Sequence, residues 1–167
     1  MTDSGVSAKE PDWGRESKYW ASWDPSRSLL ASIRSYQRLK QGTTPVAWLL
    51  CKLAVLRYRI WTMATGADIP LNCHIDGGLL IPHPNGIVIH PESRIGPNCL
   101  LFQQVTIGAI DGKGVPVLGG NVDVGAGAKI LGAVNIGDHA RIGANAVVLV
   151  NVPPGKSAVG VPARIID

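Results

Sequence analysis

The stretch that decides the fold is 118–148, LGGNVDVGAGAKILGAVNIGDHARIGANAVV, in which an aliphatic residue recurs at every sixth position. These aliphatic positions are Leu118, Val124, Ile130, Ile136, Ile142 and Val148. A period of six fits neither an amphipathic helix nor a simple alternating strand. It fits a strand of a few residues followed by a turn, with three such units in each coil of a parallel β-helix.

The same period runs through residues 69–107, with one interruption inside this range and another after it. Its positions here are Ile69, Ile75, Ile81, Ile89, Ile95, Leu101 and Ile107. A two-residue slip separates Ile81 from Ile89, and the Gly-rich segment 109–117, AIDGKGVPV, separates Ile107 from Leu118. Because a β-helix accepts insertions only as loops, we expect the segment 109–117 to be an excursion from a corner, and we expect the wall to bend at the slip. A β-sandwich of short strands is the alternative, but a sandwich does not hold one phase through five consecutive hexads.

The N-terminal part of the chain is predicted to be helical. Asp24-Pro25 and Thr44-Pro45 each indicate an N-cap followed by a proline in the first turn, which predicts helices over 25–40 and 45–62. Residues 1–23 are predicted to be disordered or loosely attached. We therefore predict a mainly β protein: an N-terminal segment with two helices at 1–67, and a β-helix domain with a C-terminal cap at 68–167. The cap and the helices are expected to cover the two open ends of the β-helix.

Charge and cysteine content limit the partners and the compartment. The net charge of +4 arises in residues 1–67, which hold ten Lys or Arg against five acids, without the interleaved basic and aromatic clusters of a nucleic-acid surface. We predict no nucleic-acid partner. The second helix is apolar almost all round, so it packs against protein or, alternatively, makes a peripheral contact with a membrane. Three cysteines without C-x-x-C spacing and no visible secretory signal predict a cytoplasmic protein.

One histidine lies within the register slip, in LLIPHPNGIVI at 79–89. A histidine with a pKa near 7 is suited to take the proton from an attacking hydroxyl group. Pro82 and Pro84 restrict the backbone on both sides of His83 and would hold its ring in place. The alternative is a corner histidine that is hydrogen-bonded to a carbonyl and otherwise inert. From these residues alone, both interpretations stay open.

Residues 66–167 resemble the left-handed β-helix acyltransferases and, within them, the serine acetyltransferase group. The matching pieces are GADIPLN, PHPNGIVI, QQVTIG, GAGAKILG, IGANAVV and GVPARI. The resemblance implies a left-handed β-helix that forms a homotrimer, with active sites between subunits and acetyl-CoA as cosubstrate. It also implies that His83 is the general base and that Asp68, fifteen residues earlier, orients it. Such a carboxylate fixes the histidine tautomer and stabilises the imidazolium that forms.

The predicted coenzyme A contacts are less specific. Gly125-Ala126 and Gly143-Ala144 lie eighteen residues apart, so their small side chains would leave the backbone of two successive coils open to a pantetheine arm. Small residues are equally common in hexad turns, and the basic candidates for the phosphates can be solvated charges. The turn at Gly108-Ala109 is the candidate for the oxyanion amide. The predicted cofactor-binding residues are Gly108, Ala109, Ala126, Ala144, Lys129, Arg141, Lys156 and Arg164.

Two positions bear on the acceptor. Serine acetyltransferases have a histidine in an Arg-His-Pro-Lys context that helps to hold the serine carboxylate, where this chain has Gly114-Val115-Pro116-Val117. Asp24, in WDPS, is a candidate for the family's acidic residue before a proline that contacts the substrate amine, although it is fully explained as an N-cap, which we favour. Short relatives of this kind resemble acetyltransferases that modify sugars of exopolysaccharides.

The predicted function is therefore an acetyl-CoA-dependent O-acetyltransferase acting on a small-molecule hydroxyl, with serine slightly favoured and a place in cysteine biosynthesis. The alternatives are acetylation of an exopolysaccharide sugar or its precursor and, in a different class, a non-catalytic β-helix scaffold. We predict no metal; a carbonic-anhydrase-like zinc site using His83 and His90 is the alternative. Whether trimers pair into hexamers through the N-terminal helices stays open.

Overall fold

The computed structural model describes residues 5–18, 22–112 and 114–167. It begins with a short 3-10 helix, Trp13–Glu16, followed by α1 (Pro25–Leu39) and α2 (Pro45–Thr65). Thirteen short strands follow: β1 His74–Ile75, β2 Val88–Ile89, β3 Arg94–Ile95, β4 Leu100–Leu101, β5 Thr106–Gly108, β6 Val117–Leu118, β7 Asp123–Val124, β8 Lys129–Leu131, β9 Asn135–Ile136, β10 Arg141–Ile142, β11 Val147–Val148, β12 Ser157–Gly160 and β13 Ala163–Ile166.

The strands form the three walls of a parallel β-helix. We name the walls sheet A (β2, β5, β8, β11), sheet B (β1, β3, β6, β9) and sheet C (β4, β7, β10, β12, β13). Every neighbouring pair is parallel except β12 and β13, which form an antiparallel hairpin at the edge of sheet C. This hairpin is the part of the C-terminal segment that leaves the six-residue register.

The core is the set of aliphatic positions that the period predicts. All thirteen of them are buried. In coils without an insertion, each residue pairs with its counterpart eighteen positions on, as Val124 does with Ile142 and Ile130 with Val148. The prediction of stacked inward-pointing side chains is therefore confirmed, and burial of these rows is the main stabilising contribution to the coils.

Both predicted interruptions are insertions at corners. Leu80 pairs with Leu100 in sheet C, and Val88 pairs with Thr106 in sheet A. The chain therefore advances eight residues from sheet C to sheet A in the earlier coil, but only six in the later one. The two extra residues lie in the turn that contains His83. From Thr106 to Val117 the chain takes eleven steps, because an insertion follows β5 at the corner between sheets A and B.

The two helices begin where the caps predict. Asp24 accepts a hydrogen bond from the Arg27 backbone N–H (3.0 Å), and the Thr44 hydroxyl accepts one from the Ala47 N–H (3.1 Å). The second helix runs three residues beyond the predicted end, to Thr65, where Gly66 adopts a left-handed conformation with φ of 66° and ends it. None of the helices in the described ranges has the length and hydropathy to cross a bilayer.

The helices cover the first coil, as expected. Leu29, Leu30 and Ile33 of α1 join the same buried cluster as the β-helix core, and Tyr58 and Trp61 of α2 pack against it. The division of the chain into domains at residues 67 and 68 stays a prediction.

The prediction that the N-terminus is loosely attached is wrong for residues 5–18, which we call the strap. The Asp12 backbone N–H donates to Asn98 Oδ1 (2.8 Å), and Asn98 Nδ2 donates to the carbonyl oxygens of Ser7 (2.7 Å) and Glu10 (2.8 Å). The side chain of Asn98 is therefore saturated by the strap. Residues 1–4 and 19–21, also covered by that prediction, lie outside the described residues.

A buried ion pair fixes the end of the strap. Glu16 and Arg34 pair at 2.9 Å with side chains 8% and 9% exposed. Arg34 also donates to the carbonyl oxygens of Ile75 and Asp76, and Glu16 accepts from the Leu79 N–H. These bonds connect the strap, α1 and the first coil into one unit, because each charge is held by several partners.

Candidate active site

The candidate site lies at the corner between sheets C and A, which we call the histidine corner. Its turns are 82–86, 102–104, 125–127 and 143–145, one above the other. The backbone connects them: Gln104 N–H donates to Asn85 O, and Asn145 N–H to Ala126 O. One residue in each turn has positive φ, namely Gly86, Gln104, Gly127 and Asn145.

His83 faces an open cleft of about 760 Å³ beside this corner. The N-terminal end of α1 and the last turn of α2 form the other parts of its wall, through Asp24, Arg27, Ala64 and Thr65. A drug-sized or metabolite-sized ligand needs a concave site of this scale. The helices thus serve both to cover the first coil and to build one side of the cleft.

The His83 ring is exposed and makes no hydrogen bond or ion pair to any residue that the structure describes. The widened turn therefore presents a ring nitrogen that is available to a bound molecule.

Asp68 lies on the outer face of sheet A, one layer from Val88, with which it forms a parallel bridge. Its N–H donates to Ile87 O (2.8 Å), and the neighbouring Gly66 O accepts from Gly86 N–H (2.9 Å). Burial raises the pKa of the Cys73 thiol to about 12, and the Asp68 charge adds to that rise. In the described residues no hydrogen bond joins Asp68 to His83, so the orienting role of Asp68 stays a prediction.

Curated proteins with similar sequences are serine acetyltransferases. The one from Helicobacter pylori is 47% identical over 105 residues, which cover 61% of this chain and 61% of the relative. The one from Synechococcus elongatus is 43% identical over 107 residues, which cover 62% of this chain and 44% of the relative. This chain is similar to the serine acetyltransferases, as its sequence predicts. No protein-family model matches it.

Solved serine acetyltransferases share the fold. The soybean apoenzyme aligns with a TM-score of 0.71 at 32% identity, covering 85% of this chain and 57% of that chain. The Brucella abortus enzyme in complex with coenzyme A aligns with a TM-score of 0.72 at 28% identity, covering 85% and 56%. The fold is therefore the predicted left-handed parallel β-helix. The chain spans 44–61% of the length of the curated relatives that it matches.

Asp24 has both of the features that the sequence presented as alternatives. It caps α1, accepting from Ser26 Oγ (2.9 Å) and from the Arg27 N–H. It also lines the cleft with His83, and it is the sole acidic side chain among the described residues that do so. The residue that the resemblance suggests as a contact for a substrate amine therefore lines the candidate site, and that role stays a prediction.

Ala126 and Ala144 lie at the histidine corner, one coil apart, as the coenzyme A hypothesis requires. The adjacent Gly125 has a separate explanation, however. A Cβ on Gly125 would approach the Ala144 nitrogen to 2.6 Å, so glycine is needed there for contact between coils. The small residues of this corner are thus explained in part by packing, and the two alanines stay predicted cofactor contacts.

Gly108 and Ala109 lie at the opposite edge of sheet A from His83. Gly108 ends β5, where its carbonyl accepts from Gly132 N–H (3.0 Å), and Ala109 begins the inserted loop. Because the strands of sheet A run from the histidine corner to this edge, one chain does not bring these residues to the His83 ring.

The four basic candidates do not form one cluster within the chain. Lys129 flanks the histidine corner and donates to Gln104 O (2.5 Å), whereas Arg141 lies in sheet C in register with Asp123. Lys156 pairs with Asp167 at the C-terminus, and Arg164 is exposed on β13. Lys129 is therefore the candidate nearest to the histidine corner.

Sequence reasoning missed Asn85, which lines the cleft two residues after His83. Its Oδ1 accepts from Gln104 Nε2 (2.9 Å), one coil above. The six-residue period contained the information that identifies this pair. When the two-residue slip is taken into account, the turn after Leu101 lies above the turn of His83, and Gln104 lies above Asn85. In the part of the chain that the structure describes, no group of three or more His, Cys, Asp or Glu side chains is arranged to hold a metal ion.

Proposed function

We propose that this protein is an acetyl-CoA-dependent O-acetyltransferase that acts on a hydroxyl group of a small molecule. The observation that carries the proposal is the His83 ring, which has no partner in the described chain and faces a cleft at a widened corner. Similarity to serine acetyltransferases in sequence and fold supports it, as does the coenzyme A complex of a structural neighbour.

The chemistry requires one proton transfer in each direction. As the acceptor oxygen attacks the acetyl carbonyl carbon, His83 takes the hydroxyl proton, and the bond between that carbon and the sulfur of coenzyme A then breaks. The imidazolium returns the proton to the departing thiolate, so no acyl-enzyme forms. General-base assistance of this kind contributes about 10²–10⁴-fold in rate. Asp68 would orient the ring and stabilise its charged form.

A homotrimer would complete the site. The loop that begins at Ala109 leaves the edge of sheet A remote from His83 in the same chain. A neighbouring subunit can present its own loop to the His83 cleft, which would bring an oxyanion-stabilising amide to the reacting carbonyl. Light scattering distinguishes a trimer from a hexamer paired through the N-terminal helices.

Two observations bear on the acceptor. Asp24 on the cleft wall, which also forms an ion pair with Arg27 (3.5 Å), would offer its carboxylate to an ammonium group, which favours serine and a role in cysteine biosynthesis. Val115 replaces a hydrogen-bonding histidine of the family, which favours the second candidate, a sugar hydroxyl of an exopolysaccharide or its precursor. We place the protein in the cytoplasm because its cysteines are free thiols.

A thiol-release assay with acetyl-CoA tests the function and the acceptor together. We expect coenzyme A release with one member of a panel of serine, homoserine and monosaccharides. Turnover of serine at a rate typical of serine acetyltransferases would remove the argument from Val115. No turnover with any acceptor, together with unchanged coenzyme A binding in His83→Ala, would favour the non-catalytic scaffold.

A further inference from the structure

Helix α2 has an exposed apolar stripe that no other described residue covers. Its side chains alternate at spacings of four and three residues and are between 48% and 77% exposed. We call this stripe the α2 seam; it consists of Leu49, Leu53, Leu56, Ile60 and Met63. The opposite face of the helix, with Ala54 buried, packs against the rest of the protein. An apolar surface of this length on a folded chain marks an interaction site.

Basic side chains border the seam on both sides. Successive residues of an α-helix are rotated by about 100° around its axis, which places Lys52 and Arg59 along one edge of the seam and Arg57 along the other. None of the three forms an ion pair with a residue that the structure describes. Trp48, 62% exposed, lies on the same side as Lys52, whose Nζ is 5.5 Å from its ring. Residues 25–65 contain seven Lys or Arg and no acid.

The charges decide between two kinds of partner. The four-three spacing alone would suit a second copy of the helix packed along the seam. In either a parallel or an antiparallel pair, however, the edges of the seam would bring Lys52, Arg57 and Arg59 against the same charges of the copy. Like charges across such an interface oppose association. The fitting partner is apolar at its centre and negatively charged at its rim.

We propose that the α2 seam docks, in the plane of the surface, on a bilayer that contains anionic phospholipids. An amphipathic helix with an apolar stripe, basic edges and an exposed tryptophan has the features of an interfacial helix. Lipid head groups would take the positions opposite Lys52, Arg57 and Arg59. The proposal does not depend on the acetyl transfer proposed above.

Co-sedimentation with vesicles tests the docking directly. The unsubstituted protein should bind vesicles of phosphatidylcholine mixed with phosphatidylglycerol, bind phosphatidylcholine alone far more weakly, and lose binding as salt is raised. Each base neutralised should weaken binding about fivefold, so the triple variant Lys52→Gln, Arg57→Gln, Arg59→Gln should lose about a hundredfold. Leu53→Gln with Leu56→Gln should abolish binding. Leu149→Gln with Val150→Gln, at exposed apolar positions of the last coil, is the matched control and should bind normally.

Light scattering and the thiol-release assay on the same preparations separate the alternatives. Docking predicts that the seam variants keep the molar mass and the turnover of the unsubstituted protein. A lower molar mass in Leu53→Gln with Leu56→Gln would make the seam a contact between subunits and overturn the proposal. Equal binding to both kinds of vesicle, or binding to neither, would also overturn it. Vesicle binding tests the docking and turnover tests the acetyl transfer. A variant that loses vesicle binding but keeps its turnover therefore gives no evidence against the acetyl transfer, and each proposal can fail without the other.

Discussion

Two corners of the β-helix are built in the same way but are used differently. At the corner between sheets B and C, which we call the strap corner, the turns use Asn98, Asn121 and His139 at positive φ. At the histidine corner, Gln104 and Asn145 adopt the same conformation. The strap saturates the Asn98 amide, whereas the histidine corner faces an open cleft.

The difference shows that the repeat sets the backbone of a corner, while whatever covers the corner sets its role. Polar groups at the strap corner have their partners within the chain, so they contribute to stability. The His83 ring has none among the described residues, so it is available for function. Substitutions at the strap corner should therefore reduce stability, and substitutions at the histidine corner should reduce activity.

The largest expected effect is the loss of the ion pair that fixes the strap. Glu16→Ala leaves the Arg34 guanidinium buried without its carboxylate, which should lower the free energy of unfolding by about 3–5 kcal/mol. Urea unfolding at fixed protein concentration measures it. The exposed Glu10 is the control, and Glu10→Ala should change stability by less than about 0.5 kcal/mol. Equal losses in the two variants would mean that the strap adds nothing to stability.

The next effect is at the strap corner itself. Asn98→Ala removes the hydrogen bonds to Asp12, Ser7 and Glu10 and forces alanine into φ of 61°, which should cost about 2–3 kcal/mol. Asn98→Gly loses the same bonds without the left-handed strain, so it should be about 1 kcal/mol more stable than the alanine variant. Hydrogen exchange of the strap amides should accelerate in both. Unchanged exchange would show that Asn98 does not hold the strap.

At the histidine corner, the effect should appear in catalysis instead. Asp68→Asn keeps the shape of the side chain but removes the charge that would stabilise the imidazolium. We expect kcat/KM to fall by about 10–100-fold, equivalent to about 1.4–2.7 kcal/mol, with unfolding unchanged. Steady-state kinetics and urea unfolding of one preparation give both quantities. Unchanged kcat/KM would remove Asp68 from the mechanism.

The smallest effect tests where the Asp68 charge acts. Because that charge raises the pKa of Cys73, Asp68→Asn should lower the thiol pKa from about 12. The pKa should still stay above its ordinary value, since burial is the larger cause. The pH dependence of thiol alkylation reports it: the rise in rate should move to lower pH in the variant. A rise that stays at the same pH would place the carboxylate away from Cys73.

The fold was predictable because its signal is periodic and local. Thirteen aliphatic positions at a spacing of six specify the core, and the departure from that spacing after Ile81 locates the widened turn of His83. Both conclusions need only the order of residues along the chain.

The strap was not predictable because its contacts are distant and carry no pattern. Asn98 bonds to backbone carbonyls about ninety residues away, and any residue type can supply a carbonyl. The cofactor contacts were only partly predictable from the sequence, for a different reason. Gly108 and Ala109 lie across sheet A from His83, and in the homotrimer proposed above they would meet the histidine of another subunit, which the sequence of one chain does not specify.

One histidine at each corner provides the most direct test of the central claim. Both His83→Asn and His139→Asn keep a polar side chain, and asparagine tolerates the positive φ of residue 139. In thiol-release assays with the accepted substrate, His83→Asn should lose about 10²–10⁴-fold in kcat/KM, while His139→Asn should stay within about twofold of the unsubstituted protein. Equal kcat/KM values for the two variants, whether reduced or not, would contradict the assignment of catalysis to the histidine corner.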